Sequence, residues 1–218
     1  MATVAETRPR MSLGWERYAP LAGALAVIGW VIGIILVQSV ADKNKGPEIL
    51  AAYQAHDDRI LAGGLIWLIG TALFIWFLGS LRTRLLAAEG AQGRVSSIAF
   101  AGGVATTICL ALVPGPDMAG ALNKNDIDAS AASAMHHLAD AFFIGAEYLL
   151  PVLLAGTALV ARRTQAVLPR WLTWVTLLIA LVLLIGPIGW AALIFAFPLW
   201  VLVVTYLLWR AQTEPAGR

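Results

Sequence analysis

The sequence predicts an all-α polytopic transmembrane bundle of about six spans with both termini cytoplasmic, and three observations lead there. Of the 218 residues 60% are hydrophobic and 13% charged, against about 25% charged in an ordinary soluble domain. The apolar residues fall in blocks near twenty long, the length that carries a helix across a ~30 Å hydrocarbon core. The basic residues are confined to the short segments between those blocks, unevenly divided between the two ends. With mean hydropathy at +0.78, this much apolar surface needs lipid as its solvent.

Residues 1–19 form a cytoplasmic N-terminal segment, and residues 20–210 form one membrane domain. Span one covers about 20–40, with Pro20 at a first-turn position where its missing N–H costs nothing. The arginines ahead of it and Ser39-Val40-Ala41 behind it also resemble a signal peptide. However, Leu21 to Val40 reaches about 30 Å as a helix, longer than the ~7–15 residues of a signal h-region, so the block reads as a retained span. The second helix is expected to start outside the membrane at Gly46-Pro47-Glu48, because Ile49, Leu50, Tyr53 and Ile60 recur at helical spacing. It spans about 60–81 and leaves before Arg82 and Arg84.

Span three, about 95–113, is expected to stop at Pro114-Gly115-Pro116, since neither of two prolines so close has an N–H to donate to a helical ladder. Residues 114–128 then read as the longest loop, rich in Pro, Gly and Asn. Asp128 is the expected N-cap of a helix from Ala129 that continues as span four, about 138–161, and exits at Arg162-Arg163. Pro151 inside it should kink the helix or free a carbonyl. From Trp171 to Trp209 no charged residue occurs over 39 positions, which as one helix would reach about 58 Å. The turn chemistry of Gly186-Pro187-Ile188-Gly189 divides the stretch into spans of about 170–185 and 190–209. The alternative is a re-entrant segment before Pro198. Residues 211–218 are a cytoplasmic tail.

Orientation follows from the basic residues, which are retained on the cytoplasmic face. One side holds Arg8, Arg10, Arg17, Arg82, Arg84, Arg94, Arg162, Arg163, Arg170, Arg210 and Arg218, and the other holds Lys43, Lys45, Arg59 and Lys124. Eleven against four places both termini in the cytoplasm and requires an even number of spans. Trp15, Trp76, Trp171, Trp174 and Trp209 fall near the same inner interface, as an aromatic belt would. A faint repetition, Gly70-Thr71-Ala72-Leu73 against Gly156-Thr157-Ala158-Leu159, links spans two and four.

Composition also excludes functions. The net charge is +2 and no basic patch is interleaved with aromatics, so nucleic acid is not an expected partner. Cys109 is the only cysteine, which rules out an intramolecular disulfide and a cysteine-rich zinc site. It has no basic neighbour to activate it. No G-x-S-x-G, H-E-x-x-H or P-loop pattern occurs.

The informative polar residues cluster on the predicted outer side. His56 adjoins Asp57 and Asp58, and His136 and His137 precede Asp140 and Glu147. At about 100° per residue, His136, Asp140 and Glu147 share one helical face at increasing depth, with Phe143 in the same stripe. A carboxylate as deep as Glu147 is costly unless it faces the bundle interior or water. These groups could line an outward-facing pocket on helices two and four that binds a small ligand, a metal or protons. Imidazole with carboxylate suits a transition metal, with His56, Asp57, His136, His137 and Asp140 as ligands, provided the two helices bring them together. Haem is disfavoured, because the histidines cluster at one interface instead of facing one another from mid-span. A second reading is an acid–base enzyme in which Glu147 or Asp140 is the catalytic Brønsted acid toward a lipid or isoprenoid, with Tyr148 and Phe143 shaping the site. A third is a non-catalytic membrane subunit or stress-related component, with His136, His137, Asp57 and Asp58 as ordinary solvated or capping residues. Gly29 and Gly33 form a G-x-x-x-G that could pack within the chain or support a homo-oligomer.

The stretches Trp76-Phe77-Leu78-Gly79-Ser80-Leu81-Arg82, Leu168-Pro169-Arg170-Trp171-Leu172 and Gly186-Pro187-Ile188-Gly189-Trp190 to Pro198-Leu199-Trp200 resemble a family of uncharacterised multi-pass membrane proteins of high-GC Gram-positive bacteria. The use of twelve Arg against three Lys accords with such a genome. The resemblance implies a bacterial plasma membrane location and carries no assigned functional residues.

Overall fold

The computed structural model describes residues 14–41, 43–90, 92–164 and 167–213. Arg8, Arg10, Asp42 and Arg218 lie outside them, as do the side chains of Trp15 and Arg17. Every element is helical: a 3₁₀ turn Gly14–Leu21, then α1 (Ala22–Ala41), α2 (Gly46–Glu89), α3 (Arg94–Leu112), α4 (Pro114–Leu122), α5 (Ala129–Thr164), α6 (Arg170–Leu183), α7 (Gly186–Ala191), a π segment Ala192–Ala196 and α8 (Phe197–Thr213). Among the described residues five helical stretches are long and apolar enough to cross a membrane, and α6 is a shorter apolar sixth. The chain is an all-α polytopic membrane bundle.

Two close-packed pairs organise it. Along α1 and α2 glycines replace side chains at the crossing, so that a Cβ on Gly29 would fall 2.9 Å from the Gly70 Cα and one on Gly33 would fall 3.0 Å from the Gly63 carbonyl. Small residues let membrane helices approach backbone to backbone, where dispersion replaces the hydrophobic effect that lipid cannot supply. The G-x-x-x-G of span one is thus occupied within the chain. The second pair is α3 with α5, where a Cβ on Gly156 would fall 2.7 Å from the Ala99 Cβ and one on Gly102 2.6 Å from the Val152 Cβ. Gly70 and Gly156, first residues of the repeated tetrapeptide, are therefore both points of close approach. Trp30, Phe74, Phe77, Phe197 and Trp200 close the space between α1, α2 and α8 with ring centroids 5.2 to 6.4 Å apart.

The helix ends follow from local chemistry. α2 begins at Gly46 with proline in its first turn, where sequence places it, and leaves helical geometry once, at His56 (φ −135°, ψ 25°). Its first ten residues are thereby set off from the apolar span that follows. Between α2 and α3, Gly90 (φ 89°) and Gly93 (φ 54°) take backbone conformations that favour glycine. The Glu89 carboxylate then accepts the N–H groups of Val95 and Ser96 at 2.8 and 2.7 Å, satisfying donors that the start of α3 leaves open. Asp128 caps α5 as expected, its carboxylate accepting the Ala131 N–H at 2.8 Å.

The expected loop over 114–128 is wrong in its first half. Pro114-Gly115-Pro116 does end α3, but it opens α4 instead of a coil: proline suits a first turn, and Asp117 beside it suits the positive end of the helix dipole. The Leu110 carbonyl, four residues before Pro114 and so deprived of its helical donor, accepts the Trp67 indole N–H at 2.6 Å. α5 continues as a single helix through Pro151. The break after α6 falls at Leu184 and Ile185, just ahead of Gly186-Pro187. The chain then turns back through α7 and a π segment in which the Phe197 N–H reaches the Ala192 carbonyl. That wide turn lies immediately before Pro198, which cannot donate to a regular ladder.

Candidate functional site

Three pairings take up most of the polar residues expected to line one pocket, and the rings of His136 and His137 stand with centroids 6.1 Å apart. His136, 6% exposed on α5, places Nδ1 3.0 Å from Oδ1 of Asp117 on α4, and the same oxygen accepts the Tyr53 hydroxyl of α2 at 2.7 Å. Three helices are tied through one carboxylate. His137 and Asp140 meet at 3.5 Å as exposed neighbours one turn apart on α5. Asp57 pairs with Lys124, in the segment after α4, at 2.6 Å, and Gln54 donates to the Lys124 carbonyl at 3.3 Å. His56 marks the α2 kink, half-buried.

α4 and the segment after it therefore partner polar groups of both α2 and α5, through Asp117 and Lys124. Among the described residues no three His, Cys, Asp or Glu side chains are arranged to hold a metal ion; His56, Asp57, His136, His137 and Asp140 are not assembled into one ligand set. Asp117 is the residue that sequence reasoning passed over, hidden in the supposed loop. Proline followed within one turn by an acid is a helix-start signature, and it was present. Chemically, the Asp117–His136 pair orients one imidazole and satisfies a buried tyrosine.

Glu147 is different. It is 3% exposed, eleven residues beyond His136 in α5, and its Oε1 is buried without a hydrogen-bond partner. The surface against it is the turn after α6. A Cβ on Gly189 would fall 2.8 Å from the Glu147 Cδ and 2.7 Å from the Leu183 carbonyl, and one on Gly186 would meet the Tyr148 hydroxyl at 3.4 Å. The two glycines of Gly186-Pro187-Ile188-Gly189 are thus shaped to adjacent residues of α5. No side chain could replace Gly189 without moving the carboxyl. Glu147 lies about 22 Å along α5 from Arg162, and α6 rises about 20 Å from Arg170 to Leu183, so carboxyl and turn sit at one level within the bundle. Neither Arg59 nor any other cation among the described residues is paired with Glu147. Phe143, one turn earlier, instead borders a small apolar cavity of about 20 Å³ with Trp30, Trp67, Leu193 and Phe197.

Comparison with models of known protein families, with curated proteins and with solved structures finds no match to this chain. The chemistry rests on the side chains themselves.

Proposed function

We propose that this is a plasma-membrane protein with both termini in the cytoplasm, in which Glu147 takes up and releases a proton as a small ligand binds from the outer side. The carrying observation is the buried, unpartnered Oε1 of Glu147 against the α6–α7 turn. An ionised carboxylate without a partner is expensive inside a bilayer, so this oxygen must meet a proton or a cation. Three of the neighbouring polar groups already have partners within the chain: Asp117 for His136, Lys124 for Asp57, and Asp140 for His137. Among the described acidic and imidazole groups, Glu147 alone has a buried polar atom without a partner, and it is the group poised to exchange. Both the orientation and the plasma membrane assignment rest on the arginine asymmetry and on the sequence resemblance.

The test is labelling by a hydrophobic carbodiimide, which reacts with protonated carboxyls reached from lipid. The protein reconstituted in phospholipid vesicles should acquire label on Glu147, located by peptide mass spectrometry, with yield falling as pH rises. Glu147→Gln should fold and lose that label. Modification confined to exposed carboxyls such as Asp140 and Glu48, with Glu147 untouched at every pH, would rule the proposal out.

A further inference from the structure

A second concavity lies at the end of the bundle where α5 stops and α6 begins, well removed from Glu147. It has a volume of about 180 Å³ and is lined by Ala161, Arg162, Arg170, Thr173 and Trp174. Arg162 is one of two arginines in the last turn of α5, and its guanidinium lies over the Trp174 ring with the central carbon 5.3 Å from the centroid. That stacking restrains a flexible side chain at the cavity wall. Arg170 stands on the first turn of α6 and lines the same cavity. Among the described residues no carboxylate lies within ion-pair distance of either guanidinium. Glu89, at the end of α2, has its carboxylate committed to the start of α3. The Thr173 hydroxyl is likewise occupied, donating to the Pro169 carbonyl at 3.3 Å.

Two arginines lining one cavity, with no carboxylate in ion-pair reach among the described residues, suit a phosphate, whose oxygens accept paired N–H groups from such forks. What lies beside them identifies the source of that phosphate. Trp174, Leu178 and Leu181 recur at helical spacing on α6 and are all exposed, giving a continuous apolar stripe that starts at the cavity and runs into the membrane. A soluble anion has no use for such a stripe, whereas an acyl chain does.

We propose that this cavity binds an anionic phospholipid of the adjoining leaflet, its phosphate between Arg162 and Arg170 and an acyl chain along Trp174, Leu178 and Leu181. Basic pockets between membrane helices take lipid headgroups by this combination. The recognised chemistry is a phosphate ester, and the lipid carries it.

The test uses the full chain in nanodiscs of phosphatidylcholine with a minor fraction of phosphatidylglycerol, with lipids retained after gentle release counted by native mass spectrometry. The wild type should retain phosphatidylglycerol in preference to phosphatidylcholine. Replacing both arginines, Arg162→Gln with Arg170→Gln, should reduce that preference about 30-fold, and Arg170→Gln alone about fivefold. The second variant alters one exposed first-turn residue and serves should the double variant fail to fold. Arg82→Gln with Arg84→Gln, which removes the same charge from the end of α2, should leave the preference intact. The proposal is overturned if the wild type shows no preference, if Arg170→Gln leaves it unchanged, or if the two double variants lose it equally. It is also overturned if inorganic phosphate binds in pure phosphatidylcholine discs with the same arginine dependence, since the ligand would then be a soluble phosphate.

Discussion

Trp67 and Pro114 should be energetically coupled, although no hydrogen bond joins them. Pro114 removes the N–H that would close the helical bond to the Leu110 carbonyl, and the Trp67 indole supplies the missing donor at 2.6 Å. Trp67 is 7% exposed, so water does not substitute. Trp67→Phe leaves a buried acceptor unsatisfied at a cost of about 1–3 kcal/mol, reduced toward about 1–2 because a membrane-embedded unfolded state also finds partners. The smaller ring also loses packing, which adds to the total. In a Pro114→Ala background the backbone N–H returns and Leu110 has its helical donor, so the hydrogen-bond component of the Trp67→Phe penalty should vanish while the packing component persists. A double-mutant cycle, read from helicity during unfolding in mixed detergent micelles, should therefore give a coupling of about 1 kcal/mol. If the penalty is the same in both backgrounds to within about 0.3 kcal/mol, the indole is not replacing the donor that proline removes.

Three further outcomes follow from the contacts described. Asp117→Ala strands the Tyr53 hydroxyl and the His136 ring together and should destabilise by about 2 kcal/mol; hydrogen–deuterium exchange should then rise over 114–122 before it rises in α3, and unchanged exchange there would show that the carboxylate does not hold α4. Gly189→Ala forces a methyl against both the Glu147 carboxyl and the Leu183 carbonyl and should cost about 1–3 kcal/mol, whereas in a Glu147→Ala background only the Leu183 clash remains and the cost should fall; strict additivity in the same unfolding assay would contradict the packing. Gly33→Leu must push α1 away from the Gly63 carbonyl and should abolish the folded state, while Gly79→Leu, where a Cβ meets nothing within 4 Å, should leave the unfolding midpoint unchanged.

Much of the architecture was legible because it is local. Gly46-Pro47-Glu48 starts α2, Asp128 caps α5, and the charge-free stretch breaks just ahead of Gly186-Pro187, each determined by the conformational limits of one or two residues. The α4 helix was missed because the prolines that stop one helix are equally suited to start the next, and composition alone does not choose between those roles. The partners of the polar groups were illegible for a different reason. Helical periodicity shows that His136, Asp140 and Glu147 share a face, but whether His136 meets His56 or Asp117 depends on which helix packs between them. Glu147 could be singled out because a carboxylate at that depth is rare, and Tyr148 beside it. The glycine surface that receives it could not, since Gly186 and Gly189 signal a turn well before they signal a contact.

The brevity of α6 bears on the lipid around the protein as well as on the fold. Fourteen residues give a rise of about 21 Å, roughly 9 Å less than the hydrocarbon thickness of an average bilayer. α2 and α5 are under no such restriction. On the flank where α6 turns back, the acyl layer must pinch or the hairpin must tilt, and pinching draws hydrated headgroups down toward Trp190 and the turn. The hydrophobic mismatch is thus lopsided, greatest on the side where Glu147 meets that turn, and bilayer thickness becomes a variable to which this carboxyl is exposed.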